Sequence, residues 1–210
     1  MKKLYIIGAG GFGREVLGWA IQSAAFKKEW VIGGFLDDGR VPGESIHGVK
    51  VLSSVEDHKV SDDDLFICAI GDPQIKRKVC EVIIDKGGMF TNIIHPSVTM
   101  GQNVKLGTGI ILCANVVLTC DLVIEDFVAI NNTSNVGHDA IVGEWSTISP
   151  HCDVTGGVVL EEGVFLGSNV TILPKVKVGK YATVGAGSVV IKNVKPHTTV
   201  FGIPARIISI

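Results

Sequence analysis

The stretch 154-VTGGVVLEEGVFLGSNVTILPKVKVG-179 places an aliphatic residue at every sixth position: Val154, Leu160, Leu166, Ile172 and Val178. The phase continues backwards through Ile148, Val142, Val136, Ile130, Ile124, Leu118, Leu112, Leu106 and Met100 to Ile94, and forwards through Val184 to Val190. If roughly a third of positions are aliphatic by composition, seventeen hits in one phase arise by chance about once in 10⁸ trials. A period of six belongs neither to a helix nor to a long strand. Small or β-branched residues fill a second register two positions earlier, from Val98, Val104 and Ile110 to Val176, Ala182 and Ser188. Each unit therefore reads as a short strand and a turn. One rung cannot bury its apolar side, but a stack can. Three such strands close a triangular coil of eighteen residues, so residues 18 apart lie one above another. About five to six turns are expected, with no long loop breaking the register.

Residues 1 to about 91 follow a different grammar. Leu4–Ile7 reads as a buried strand, and the glycine turn 8-GAGGFG-13 leads into a helix from about Arg14 to Phe26. Val31–Leu36 is a second strand, closed by Asp37, Asp38 and Gly39. Further strands are expected near Val49–Leu52, at Leu65–Ile70 and at Met89–Thr91. Pro73 opens a helix running to about Lys86, with Ile75, Val79, Val82 and Ile83 on its buried side. This alternation implies a parallel sheet with helical crossovers. The domains are therefore 1–91, α/β and Rossmann-like, and 92–210, an all-β parallel coil with a C-terminal arm; the switch comes at His95-Pro96.

The formal net charge of -2, with no basic run interleaved with aromatics, gives no reason to expect nucleic acid or an anionic membrane as partner. Cys68, Cys80, Cys113, Cys120 and Cys152 form no paired pattern and read as buried free thiols in a reducing compartment. The apolar run after Met1-Lys2-Lys3 is too short for a secretory leader, and no segment reaches the length of a membrane span. A cytoplasmic protein is expected.

The repeated aliphatic-glycine pattern (Gly101, Gly107, Gly137, Gly143, Gly167, Gly179, Gly185) resembles the hexapeptide-repeat acyltransferases. The tail 192-KNVKPHTTVFGIPARII-208 is similar to that family's ending. The resemblance implies a left-handed parallel β-helix, a handedness the usual crossover rule would not supply. The whole chain resembles a narrower group, the sialic-acid O-acetyltransferases and nucleotide-amino-sugar N-acetyltransferases. The match runs from the glycine turn through Asp37-Asp38, Ile94-His95-Pro96 and Gly137-His138-Asp139 to Gly202–Arg206.

His138 stands just past the inward Val136, where side chains turn outward. A free imidazole can take a proton from an attacking amine or hydroxyl. Asp139 is suited to fix its tautomer, provided that the pair sits at a corner, since neighbours in a strand point to opposite sides. The resemblance implies that His138 is the catalytic base. Gly156, eighteen residues on, should lie one coil above it and offer its backbone N–H to the oxyanion. Cys120, eighteen residues before it, reads as packing rather than an acyl carrier. Related enzymes often carry a second histidine at the place of Thr147, where it would help anchor the acceptor. Acetyl-CoA is the implied co-substrate, held in a slot between the subunits of a homotrimer. Small residues Gly167, Ser168, Gly185, Ala186 and Gly187 would line that slot, with Lys192 and Arg206 on its phosphates.

Gly8, Gly10 and Gly13 form G-x-G-x-x-G between a strand and a helix. The first unit is only half of a full dinucleotide fold, so the nucleotide of a sugar nucleotide is the implied ligand. Gly10, Gly11, Phe12, Gly13, Asp37, Asp38 and Gly71 are the expected contacts; Phe12 replaces the family's usual histidine. The leading expectation is N-acetylation of a nucleotide-linked 4-amino-4,6-dideoxyhexose in surface-glycan biosynthesis. O-acetylation of sialic acid or a polysaccharide is the alternative, and a non-catalytic nucleotide-binding scaffold the third. No metal is expected: His138 has Gly156 above and Cys120 below, so three histidine ligands of a zinc carbonic anhydrase do not assemble.

Overall fold

A computed structural model describes residues 1–208. The chain forms two compact units, Met1–Pro96 and a second beginning at Ser97. In the first, β1 (Lys2–Ile7), β2 (Trp30–Leu36), β3 (Ser45–Ile46), β4 (Val49–Ser53), β5 (Asp64–Cys68) and β6 (Met89–Phe90) form one sheet in the order β3-β4-β2-β1-β5-β6. All pairings are parallel except the β3–β4 hairpin. Leu4, Ile6, Ile7, Phe35, Leu36, Phe66 and Ile67 are buried, as strands covered on both faces require. The strand order reverses between β1 and β5, which places a crevice outside their carboxyl ends, where the glycine turn and Gly71 lie.

Helix α1 spans Gly11–Gln22, starting and stopping earlier than the expected Arg14–Phe26. The glycines of the turn are themselves the cap and first residues: Gly10 is the N-cap, and no side chain caps the end. Ser23 returns to extended backbone and ends the helix. The unit boundary falls after Pro96 rather than 91 because His95 stays with α1, edge-on to Trp19 and 3.0 Å from the Gln22 side-chain oxygen.

Helix α2 (Pro73–Asp85) has proline in its first turn, and Asp72 caps it by accepting from Gln74 N at 2.9 Å and Ile75 N at 2.8 Å. Of the four residues expected on its buried side, only Ile83 is buried. Pro73, Lys76, Cys80 and Ile83 face inward, whereas Ile75 is 53 % exposed and Val79 and Val82 are half-buried. The apolar spacing misled because the inward stripe carries a lysine. Lys76 is 1 % exposed, and burial pulls its ammonium from 10.5 down to about 8, against the opposing pull of Cys68, Cys80 and Asp72.

The second unit is a left-handed parallel β-helix with three faces. The first face stacks Thr99–Met100, Val117–Leu118, Asn135–Val136, Asp153–Val154, Thr171–Ile172 and Val189–Val190. The second stacks Lys105–Leu106, Val123–Ile124, Ile141–Val142, Val159–Leu160 and Lys177–Val178. The third carries Ile111–Leu112, Ala129–Ile130, Thr147–Ile148, Phe165–Leu166 and Thr183–Val184, then the arm strands Thr199–Phe201 and Arg206–Ile208. Partners across the ladders of the coil are eighteen residues apart, as Val117↔Asn135 and Asn135↔Asp153 show, and the arm departs from this with Thr183↔Thr199. The sixth-position residues from Leu112 to Val190 are buried, each worth about 1.5–3 kcal/mol relative to exposure. Met100 in the first coil is 44 % exposed, because that coil has no rung beneath it.

The corners show why the period is six. Every sixth residue from Asn103 to Gly187 has φ between +52° and +72°, the left-handed region. Most are not glycine: Asn103, Asp121, Phe127, Asp139, Trp145 and Lys175 all adopt it. Such a conformation costs roughly 1–2 kcal/mol for an L-residue. The recurring compensation is a vertical hydrogen bond: Asp139 N donates to Cys120 O (3.2 Å), Gly157 N to His138 O (2.7 Å) and Lys175 N to Gly156 O (3.0 Å).

The buried Lys76 gives the first unit a measurable pH signature. Between about pH 8 and 10.5 the folded chain holds fewer protons at this site than the unfolded chain does, so this contribution to stability grows as pH rises. Burial also pushes Tyr5 and Cys80 upward, with the opposite sign, but these are common to a Lys76→Met variant. Chemical denaturation of both proteins at pH 7.5 and 10 should show the stability difference moving toward the wild type by about 1–2 kcal/mol.

Candidate active site

The corner between the first and second faces carries a vertical column: Gln102, Cys120, His138, Gly156, Pro174 and Lys192. Beside it runs the left-handed column Asn103, Asp121, Asp139, Gly157 and Lys175. His138 therefore has Asp139 next to it at φ +59°, and that backbone turns both side chains to the same side. The imidazole Nδ1 lies 2.7 Å from Asp139 Oδ2, with both side chains about two-thirds exposed. With the carboxylate ionised, Nδ1 carries the proton and donates, which leaves the Nε2 lone pair open. An ion pair this exposed adds little to stability; its effect is to set tautomer and ring orientation.

Gly156 stands directly over the ring. A Cβ there would come within 2.6 Å of His138 Nε2 and 2.7 Å of Cε1, so no larger residue fits without displacing the imidazole. Gly156 N–H has no intrachain acceptor among the described residues, while its carbonyl is held by Lys175 N. An open base and an uncommitted amide thus meet at one corner.

Cys120 lies below, only partly buried, unlike the other four cysteines, and all five are free thiols. A hydrogen bond to Asp121, with burial and the charges of Asp121 and Asp139, pushes the Cys120 thiol upward, so it stays protonated. That opposes a nucleophilic role, since the thiolate is the reactive form. Among the described residues, no three His, Cys, Asp or Glu side chains cluster in a way that could hold a metal ion.

The other expected residues fall elsewhere. Gly167, Ser168, Gly185, Ala186 and Gly187 lie at the corner between the third and first faces, a different edge of the prism from His138. Within one chain they cannot line a slot at the imidazole. Gly167 and Gly185 have packing reasons for their size: a Cβ would overlap Ala186 backbone and the Phe201 ring, respectively. Lys192 and Arg206 do come together, around a recess of about 350 Å³ that Asn193 and Lys195 also line. Thr147 is removed from the candidate site. It is 2 % exposed, in a strand of the third face between Ala129 and Phe165, a different face from the corner that carries His138.

In the first unit, the N–H groups of Gly11, Phe12 and Gly13 open α1 behind the uncapped Gly10, an arrangement suited to an anion. Gly13 fits because a Cβ there would overlap the Gly8 carbonyl oxygen. Asp37 departs from the expected role. Its carboxylate accepts from Ala9 N at 2.6 Å and Gly39 N at 2.8 Å, so it ties the glycine turn to the end of β2. Asp38 is exposed and accepts from Val55 N at 2.8 Å. Gly71 has open space around it, beside the capping Asp72. The sequence reading missed both structural duties of the acidic pair; no spacing signal marks a carboxylate that bonds backbone.

A family model described as the PglD N-terminal domain matches residues 3–83, and one described as bacterial transferase hexapeptide (six repeats) matches residues 157–192. GDP-perosamine N-acetyltransferase from Escherichia coli O157:H7 is 31% identical over 171 residues, 80% of this chain and 76% of the relative. The chain belongs to the NeuD/PglD-like family of hexapeptide-repeat acetyltransferases. Among solved structures of that family, PerB from Caulobacter crescentus in complex with CoA and GDP-perosamine superposes with a TM-score of 0.90 at 28% identity. That match covers 100% of this chain and 98% of the other. Serine acetyltransferase from Escherichia coli K12 is 35% identical over 118 residues, 55% of this chain but 37% of the relative. The chain thus spans little more than a third of the first curated relatives it matches.

The fit of ring to glycine sets a test of the corner. Gly156→Ala should leave the fold intact, shift the imidazole, and lower any His138-dependent turnover by about 10-fold or more. Retention of full turnover, with a crystal structure showing the ring unmoved, would remove Gly156 from the site.

Proposed function

We propose that this protein transfers the acetyl group of acetyl-CoA to the amino group of a nucleotide-linked amino sugar of the 4-amino-4,6-dideoxyhexose type. The observation that carries the reading is the His138–Asp139 dyad, its Nε2 open beneath Gly156. The relatives named for GDP-perosamine, one of them solved with CoA, support the choice of substrates.

The neutral sugar amine attacks the thioester carbonyl carbon. His138 Nε2 takes a proton from that nitrogen, and Asp139 stabilises the imidazolium. The Gly156 N–H donates to the oxyanion of the tetrahedral intermediate. As the C–S bond breaks, the imidazolium returns its proton to the leaving thiolate, giving the amide and CoA. Two substrates reacting directly need no covalent enzyme intermediate. The nucleotide binds over the glycine turn, with its phosphates on the N–H groups of Gly11, Phe12 and Gly13 and its base near Phe12, Asp38 and Gly71.

CoA phosphates meet Lys192 and Arg206. Because Gly167, Ser168 and Gly185–Gly187 sit on another edge of the prism, the reading places them against a neighbouring chain's His138, in a homotrimer whose active sites lie between subunits. The reaction is assigned to the cytoplasm, where acetyl-CoA and sugar nucleotides are at hand; no described helix is long and apolar enough to cross a membrane.

Purified protein should consume acetyl-CoA with GDP- or UDP-linked amino sugars. His138→Ala should keep the fold and CoA binding while losing 10²-fold or more in turnover. Turnover only with sialic acid or a polysaccharide would replace the N-acetyl reading with O-acetyl transfer. Nucleotide binding without any turnover would point to a scaffold.

A further inference from the structure

The coil beneath the dyad carries a second carboxylate that neither the sequence reading nor the proposed mechanism uses. Asp121 occupies the same left-handed corner position as Asp139, one coil lower, with φ +54° and its N–H bonded to Gln102 O at 3.0 Å. Its side chain is held from two sides: Asn103 Nδ2 donates to Oδ1 at 2.9 Å, and the Cys120 thiol donates to the same carboxylate. These bonds keep its pKa below the ordinary carboxylate value, with a smaller contribution from the charge of His138. The thiol that orients Asp121 lies in the column directly under the imidazole. His138 thus has two carboxylates on one corner, Asp139 beside it and Asp121 below.

We propose that Asp121 is a positioning residue for His138, a second carboxylate that stabilises the imidazolium formed during proton transfer. The inference rests on the acetyl-transfer reading and deepens it. In open water two charges at successive coils interact weakly. Bound substrates displace water from the corner, and the attraction then strengthens at the moment when the ring becomes charged. The cations on this corner are Lys175, two coils above Asp139, whose side chain lies over Gly157, with a Cβ on that glycine meeting Lys175 Cγ at 3.3 Å, and Lys192, three coils above His138. Both stand farther along the stack from the ring than the two carboxylates beside and one coil below it.

The test is the pH profile of kcat, which reports the substrate complex, in Asp121→Asn, with Asp121→Ser as a second neutral variant should the first fold poorly. Loss of the carboxylate makes the imidazolium harder to form, so the acid limb should move to lower pH by about 0.3–0.7 unit. The plateau should fall about 3- to 10-fold, with KM for acetyl-CoA unchanged. Asn103→Ala, which removes a hydrogen bond but keeps the charge, should leave the limb in place. An acid limb in both neutral variants that superimposes on wild type, while His138→Ala is inactive, overturns the inference. If the wild type acetylates no acceptor, the functional reading fails instead. The His138 ring is then titrated by NMR in the free protein at low ionic strength, where screening no longer hides a weak attraction: a lower midpoint in Asp121→Asn supports the link to Asp121, and an unchanged one overturns it.

Discussion

The vertical hydrogen bond at each corner is the constraint on which the second unit depends. A left-handed residue every six positions lets the chain turn within two or three residues, and its N–H reaches the carbonyl nineteen residues earlier, as in Asp139 N to Cys120 O. The bond offsets part of the conformational cost and fixes the register of one coil on the next. A slip of one residue would expose the apolar column and break every such bond together. The strands of two residues contribute little alone; the stack sets their geometry.

The same constraint makes the candidate site. His138 hangs between two of these bonds: its carbonyl accepts from Gly157 N, and its neighbour's N–H is tied to the coil below. The peptide that joins His138 to Asp139 is therefore fixed at both its polar ends by backbone alone. Left-handed φ at Asp139 turns the carboxylate toward Nδ1, which an extended residue could not do. Gly156 then leaves room for the ring where the stack would otherwise place a Cβ. Preorganisation of this kind needs no rearrangement as charge develops. The dyad is exposed to water in the single chain, and polar interactions of this kind gain strength when water is excluded around them.

Much of this was legible in the sequence because burial in a repeat leaves a period. The aliphatic phase predicted which residues stack, hence Gly156 over His138 and Cys120 beneath it. Conformation at the corner was legible only in part: ten of the fifteen left-handed positions from Asn103 to Gly187 carry Gly, Asn, Asp or His, which favour it, whereas Phe127, Thr133, Trp145, Lys175 and Tyr181 carry no such signal. In the first unit, the strands stood out as short apolar runs, but α2 was read in the wrong phase because its inward face includes Lys76. Asp37 was read as a ligand contact, yet both its oxygens hold backbone N–H groups. A charged residue that serves packing or backbone leaves the same letter in the sequence as one that serves a ligand.

This difference suggests where specificity can change without cost to chemistry. The dyad and its glycine are placed by backbone bonds of the ladder, so substitution there alters the geometry of the corner while the coil itself persists. Thr147 and Phe12 are not part of that corner. Thr147 is packed within a strand of another face, and Phe12 sits on the first turn of α1, half-buried beside the crevice. Phe12 lies outside the register of the coil, and an aromatic ring there offers a stacking surface where a histidine would offer a polar contact. On the proposed reading, recognition of the acceptor would belong to the turns of the first unit, which the six-residue period does not govern, and proton transfer to a corner that it does.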